Sequence, residues 1–333
     1  MPREFVHWWV VDTATARLSP SPVKQLLQEN RAAVLLGAMA PDAPYYYRLG
    51  TLHAVEKVAE AIHGYFGNDT RDSVRKLIAT AAQAPLHEPL QQTLHLRATA
   101  AMALGLISHL VTDSIFHPMI FYFSGDYYHP DRQQRLIARR RHRVLEVFLD
   151  RAMREQSLWV KETSMFELFQ KADSSLSQTW RQLDQSLPAQ LDNGGEFTFW
   201  RSAFQQMALL QRAFANPLLG RIFSGLRTLA PEKLGCLAAL FAYQGFRAPL
   251  SFTEALEFRN PVTGEERRAT LLELLEQATA MCCQIYSTIT MSSDNQLTDV
   301  ETALEPFGGV SLNYGLPNVT SKNAQHYAPI LSL

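Results

Sequence analysis

The sequence has few cysteines, three in 333 residues: Cys236, Cys282 and Cys283. An odd number, two of them adjacent, does not make a disulfide framework, so they read as buried thiols in a reducing compartment. Net charge is also nearly absent, at −1. That excludes a strongly basic chain held on nucleic acid by counterion release, and no nucleic-acid partner is expected. The basic run Arg139-Arg140-Arg141 with Arg143 reads as a solvated helix face. No stretch reaches about 18 uninterrupted apolar residues, so no membrane-spanning helix is predicted. Residues 1 to 12 are apolar but broken by His7 and lack a small-residue cleavage site. A cytoplasmic location is therefore the expectation, with signal-independent export as the alternative. Internal repeats and low-complexity tracts are lacking. So is period-2 alternation, which leaves an all-α fold, a multi-helix bundle-like domain.

What is present is a 47% hydrophobic chain, long enough to bury a large core. Helices are predicted from Val23 after a Ser21 cap, from 51 to 65, from 70 to 83, through a long central segment, around 141–150, and over 164–185, 197–214, 216–229, 232–244 and 268–288. Thr270 caps the last of these. Residues 1–290 are read as one domain, with the site in 1–150 and a helical extension over 151–290. Residues 291–333 are read as an irregular tail packed on it.

The informative stretch is His109-Leu-Val-Thr-Asp113-Ser-Ile-Phe-His117-Pro118. Residues four apart lie on one face of a helix, roughly 6 Å from each other, so His109 and Asp113 can grip one cation or two adjacent ones. The preceding Ala98 to Ser108 run is small or apolar on all sides, the pattern of a buried helix, in which an unpartnered carboxylate costs several kcal/mol. Pro118 is expected to end the helix just after His117. Downstream, His142 and Glu146 repeat the four-residue spacing. Upstream, Asp42 is framed by Pro41 and Pro44, and His53 falls on the 51–65 helix with His63 ten residues later beside Gly64. With His7, these imidazoles and carboxylates suffice for two or three cations. A ligand set without thiolates favours zinc, with manganese or iron as substitutes.

The His-x-x-x-Asp run with its further His-Pro, the downstream His-x-x-x-Glu, the Gly-to-Pro-Asp segment and the near-terminal histidine together resemble the zinc-dependent phospholipase C family. That family is related to bacterial phosphatidylcholine-hydrolysing enzymes and, more distantly, to zinc-dependent single-strand nucleases. The resemblance covers about residues 1–150. It implies that His53, His109 and Asp113 hold one zinc with Asp42 as ligand or general base, and that His117, His142 and Glu146 hold a second. Asp113 would bridge to a third zinc shared with His7; residue 1 here is Met where those secreted enzymes have tryptophan. Whether His53 or His63 is the ligand stays open. The activity implied is hydrolysis of a phospholipid phosphodiester, with shallow contact to a membrane surface. Tyr45–Tyr47 and Phe121–Phe123 form either an apolar lip for acyl chains or core around the metals. A nuclease or nucleotidase on the same metals and a non-catalytic metal-binding helical protein are the alternatives.

Overall fold

The computed structural model describes residues 4–50, 53–82, 89–156, 163–185, 199–226, 240–241 and 254–328. Cys236 lies outside them, as does the expected helix over 232–244 apart from residues 240–241, which form a turn and a bend. The fold is all-α, arranged around one long helix. In chain order the helices are α1 (Glu4–Arg17), α2 (Pro22–Glu29), α3 (Arg31–Gly37), α4 (Ala43–Tyr46), α5 (His53–Ile62), α6 (Arg71–Ala82), α7 (Pro89–Ser124) and α8 (Arg132–Gln156). They continue with α9 (Met165–Ala172), α10 (Ser177–Gln185), α11 (Phe199–Phe214), α12 (Pro217–Leu226), α13 (Leu271–Thr288) and the single turn α14 (Val300–Ala303).

Local chemistry sets several of these boundaries. Ser21 accepts a hydrogen bond from the Lys24 amide and Pro22 opens α2, while Thr270 and Glu273 form a reciprocal capping box at the start of α13. The region 164–185 holds two helices rather than one, because Asp173 to Leu176 turn between α9 and α10. Asp173 there accepts from Arg201 and from the Trp180 indole. The segment before α13 is an antiparallel hairpin of β1 (Leu256–Arg259) and β2 (Glu266–Ala269). Two more two-stranded hairpins follow α13: β3 (Thr290–Met291) with β4 (Leu297–Thr298), and β5 (Val310–Ser311) with β6 (Leu316–Pro317).

Helix α7 is the axis, with α1, α3, α6, α8 and α13 packed around it. Its length and hydropathy would suit a bilayer, yet 94% of its most apolar window is buried inside the protein. The closest approach is to α3, where two glycines face each other's backbones. A Cβ at Gly37 would lie 2.0 Å from the Met102 carbonyl oxygen, and one at Gly105 would lie 1.9 Å from that of Val34. This separation brings the chain beyond α3 against His109, whose Nδ1 lies 2.8 Å from the Ala38 carbonyl oxygen.

Pro118 does not end α7, which runs six residues further to Ser124. A proline inside a helix removes the bond to the carbonyl four residues back and crowds it. Here that carbonyl belongs to Ser114, and Gly315 packs against it so closely that a Cβ on Gly315 would sit 2.3 Å from the Ser114 oxygen. The helix survives because neighbouring chain fits the defect and because both flanks of Pro118 are held by buried residues, Ile115, Phe116, Met119 and Ile120.

The α3–α7 contact yields a direct test. Gly105→Ala should lower stability by about 1–3 kcal/mol, since the inserted methyl meets backbone rather than a movable side chain. Chemical denaturation measures the loss.

Candidate metal centre

Five elements deliver the candidate ligands to one buried place. His7 comes from α1, whose first turn is fixed by a carboxylate on α8: the Phe5 amide donates to Asp150 Oδ1 at 3.2 Å. Asp42 stands at the start of α4 with helical backbone angles and makes no side-chain capping bond. Its carboxylate is thereby left to face inward. His109, Asp113 and His117 lie on successive turns of α7, and His142 and Glu146 are four residues apart on α8. All seven are buried, Asp113 completely. The His142–Glu146 pair, unremarkable as a surface spacing, is thus inside the protein.

The eighth member is His63. His53 opens α5 and its side chain lies outside the described residues. Beside Asp42 and His109, where the resemblance puts His53, the structure brings His63, just past the end of α5. Its Nδ1 is 2.7 Å from the Ala59 carbonyl oxygen, and its Nε2 lies 3.3 Å from Asp42 Oδ1 and 3.5 Å from Asp113 Oδ2. The available signal was the His-Gly dipeptide, because Gly64 adopts φ +73° where the helix stops.

Asp113 is the hub. Its Oδ1 is 3.4 Å from His7 Nε2, and its Oδ2 is 3.0 Å from His109 Nε2 and 3.6 Å from His117 Nδ1. The rings of His7 and His109 stack with centroids 4.3 Å apart. His142 Nε2 and Glu146 Oε1 are 2.9 Å apart, and the His142 ring centroid is 5.6 Å from that of His117. Three groups have ligand atoms within 4.8 Å of one another, the first two sharing His109: His7, His109 and Asp113; Asp42, His63 and His109; and His117, His142 and Glu146.

These donors fit a cation. Both oxygens of Asp113, Asp42 Oδ1, Nε2 of His63 and His109, and both ring nitrogens of His7 and His117 are buried without a hydrogen-bond partner among the described residues. Leaving so many polar atoms unsatisfied would be costly. Two donors on one tetrahedral zinc, each about 2.0–2.1 Å from it, stand about 3.3 Å apart, and the imidazole–carboxylate separations on Asp42 and Asp113 run from 3.0 to 3.8 Å. A carbonyl can only accept, so His109 and His63 both carry hydrogen on Nδ1 and direct Nε2 at the carboxylates. This is the orientation that backbone carbonyls impose on metal-ligating histidines.

Electrostatics separate the histidines. Burial, followed by the neighbouring imidazole of His109, pushes His7 well below the usual histidine range, and burial does the same to His117 and His142. These rings are neutral near pH 7, ready to coordinate. For His63 burial also disfavours the charged form, but Asp113 and Asp42 outweigh it and raise its pKa to about 9. Of the aromatic stretches, Phe121 is core: its ring packs on His117 and His142 at 5.6 and 4.8 Å. Tyr47 is buried as well. Tyr45 is partly exposed, its ring 6.0 Å from His63.

A family model described as zinc dependent phospholipase C matches residues 6–191, more than half of the chain. No curated protein and no solved structure matches.

With no metal bound, His63 is protonated at neutral pH, so a cation must displace that proton. Zinc affinity should rise about tenfold per unit from pH 7 to about 9 and then level off; competition with a chromogenic chelator across this range measures it. The metal-free protein should respond oppositely. The stability that His63 gains from its carboxylates is complete below about pH 6.5 and is lost as pH rises through about 9, which thermal melts in chelator would record.

Proposed function

Because the chain belongs to the zinc-dependent phospholipase C family, we propose that it hydrolyses the phosphodiester bond between the glycerol and the head group of a phospholipid. The observation that carries this reading is Asp42. Its buried Oδ1 lies 3.3 Å from His63 Nε2 and 3.8 Å from His109 Nε2 and makes no hydrogen bond among the described residues. The carboxylate therefore faces the candidate metal donors with a lone pair to spare, the place a water-orienting base needs to occupy.

His7, His63, His109, Asp113, His117, His142 and Glu146 would hold two or three zinc ions, the count depending on which of two groups takes the single free nitrogen of His109. Zinc bound by such ligands acidifies water and offsets charge on phosphoryl oxygens. Asp42 aligns the attacking water and accepts its proton. The water oxygen bonds to phosphorus as the bond to the glycerol oxygen breaks, and the proton passes to the leaving alkoxide. The products are a diacylglycerol and a phosphorylated head group. Burial by Phe121 and its neighbours keeps bulk water from the carboxylates, which strengthens every charge interaction made there.

Contact with a lipid surface is supported by Phe66, three residues after His63 and 51% exposed. Its neighbour Tyr65 packs on Tyr128, with ring centroids 4.2 Å apart. One large apolar side chain on a loop beside the site suits shallow contact with the interface.

Asp42→Asn should lower kcat on phosphatidylcholine vesicles by about 10²–10⁴-fold, with the zinc content falling by no more than one ion. Unchanged turnover would refute the role of Asp42. A wild-type protein that cleaves single-stranded DNA and leaves every phospholipid intact would replace the proposed substrate.

A further inference from the structure

The family match ends at residue 191, but a segment far beyond it reaches the ligands. Residues 307–315 run between the end of α5 and the C-terminal part of α7. On one side the Leu312 amide donates to the His63 carbonyl oxygen at 3.1 Å, and the Thr70 hydroxyl donates to that of Val310 at 3.2 Å. A residue just past a helix end has a carbonyl without a helical donor. Leu312 supplies that donor to the one candidate ligand that stands at such an end.

On the other side Gly315 lies against Ser114, the residue after Asp113. Its φ is +65°, and a Cβ there would stand 2.3 Å from the Ser114 carbonyl oxygen, the acceptor that Pro118 leaves without its usual amide. Between these anchors the Tyr314 ring packs on Phe121, with centroids 5.3 Å apart, and Phe121 in turn packs on both His117 and His142. The Tyr314 carbonyl is itself held by the Asn260 side chain at 2.9 Å, which ties the segment to the β1–β2 hairpin. One short stretch therefore touches His63, the turn bearing Asp113, and the ring behind His117 and His142.

We propose that residues 307–315 are a positioning element of the metal centre, setting the distance between His63 and the ligand-bearing turns of α7 and so tuning zinc affinity. The segment coordinates nothing itself. It acts as backbone-held outer partners of metal ligands do, where substitutions typically weaken metal binding about 10–100-fold. The inference rests on reading the cluster as a zinc site, and its test reads zinc rather than turnover.

In the 333-residue chain, Gly315→Ala should weaken zinc binding at least about tenfold, measured by chelator competition and by metal analysis after dialysis. The rise in melting temperature on adding zinc should shrink correspondingly. If that variant does not fold, Tyr314→Leu, which withdraws the ring from Phe121, should give the same loss, and Tyr314→Phe, which keeps the ring, should restore wild-type affinity. Mere packing would lower the melting temperature with and without zinc equally and leave affinity unchanged; that result in the folded variants overturns the proposal, as does a wild-type chain without zinc affinity. Weakened zinc binding supports it even if the protein hydrolyses no phosphodiester, so the two readings fail separately.

Discussion

A carboxylate with no hydrogen bond among the described residues, set within an apolar helix, is the constraint on which this structure turns. Asp113 is completely buried, and imidazoles from two helices and the end of a third converge on it. Removing a charge from water costs far more than any packing around it returns unless a counter-charge is supplied. Neutral histidines do not supply one. The positive charge has to come from the protonated His63 or from a cation, and the surrounding donors suit the cation better, since most of them are held neutral with lone pairs directed inward.

Holding such a cluster requires backbones closer together than ordinary side chains allow. Gly37 and Gly105 let α3 and α7 meet nearly backbone to backbone, and only at that separation does the Ala38 carbonyl reach His109 Nδ1. The same economy recurs at Gly315. Small residues here do the work of register rather than of flexibility: each lets one backbone lie directly against another beside the cluster. Activity and stability therefore draw on the same contacts, and substitutions that loosen α7 should be felt at its ligands.

Most of the buried candidate cluster was legible because helical periodicity is local. His109, Asp113 and His117, and likewise His142 and Glu146, declare their common face through spacing alone, and an apolar helix bearing an aspartate announces that something must neutralise it. His63 was harder to choose over His53, since that depends on where α5 stops and which way the chain then turns. Pro118 misled because the local rule for proline is sound; what preserves the helix is Gly315, some 200 residues away in sequence. The short hairpins were invisible for the opposite reason. Strands of two to four residues give alternation no room to register. The contribution of residues 307–315 has no sequence signature, being made largely through main-chain atoms.

The scarcity of cysteine takes on a different meaning beside this geometry. Cys282 and Cys283 are free, and the chain has no sulfur bridge among its described residues to restrict its unfolded state. The candidate ligands, drawn from residues 7 to 146, would close large loops on sharing a cation. No unfolded chain can assemble such a set, so the free energy of binding is added to that of folding. The metal centre is then a cross-link that obeys mass action: unlike a disulfide, it is made or undone by the concentration of free cation. A centre built for hydrolysis would in this way also make the persistence of the folded chain a function of zinc supply.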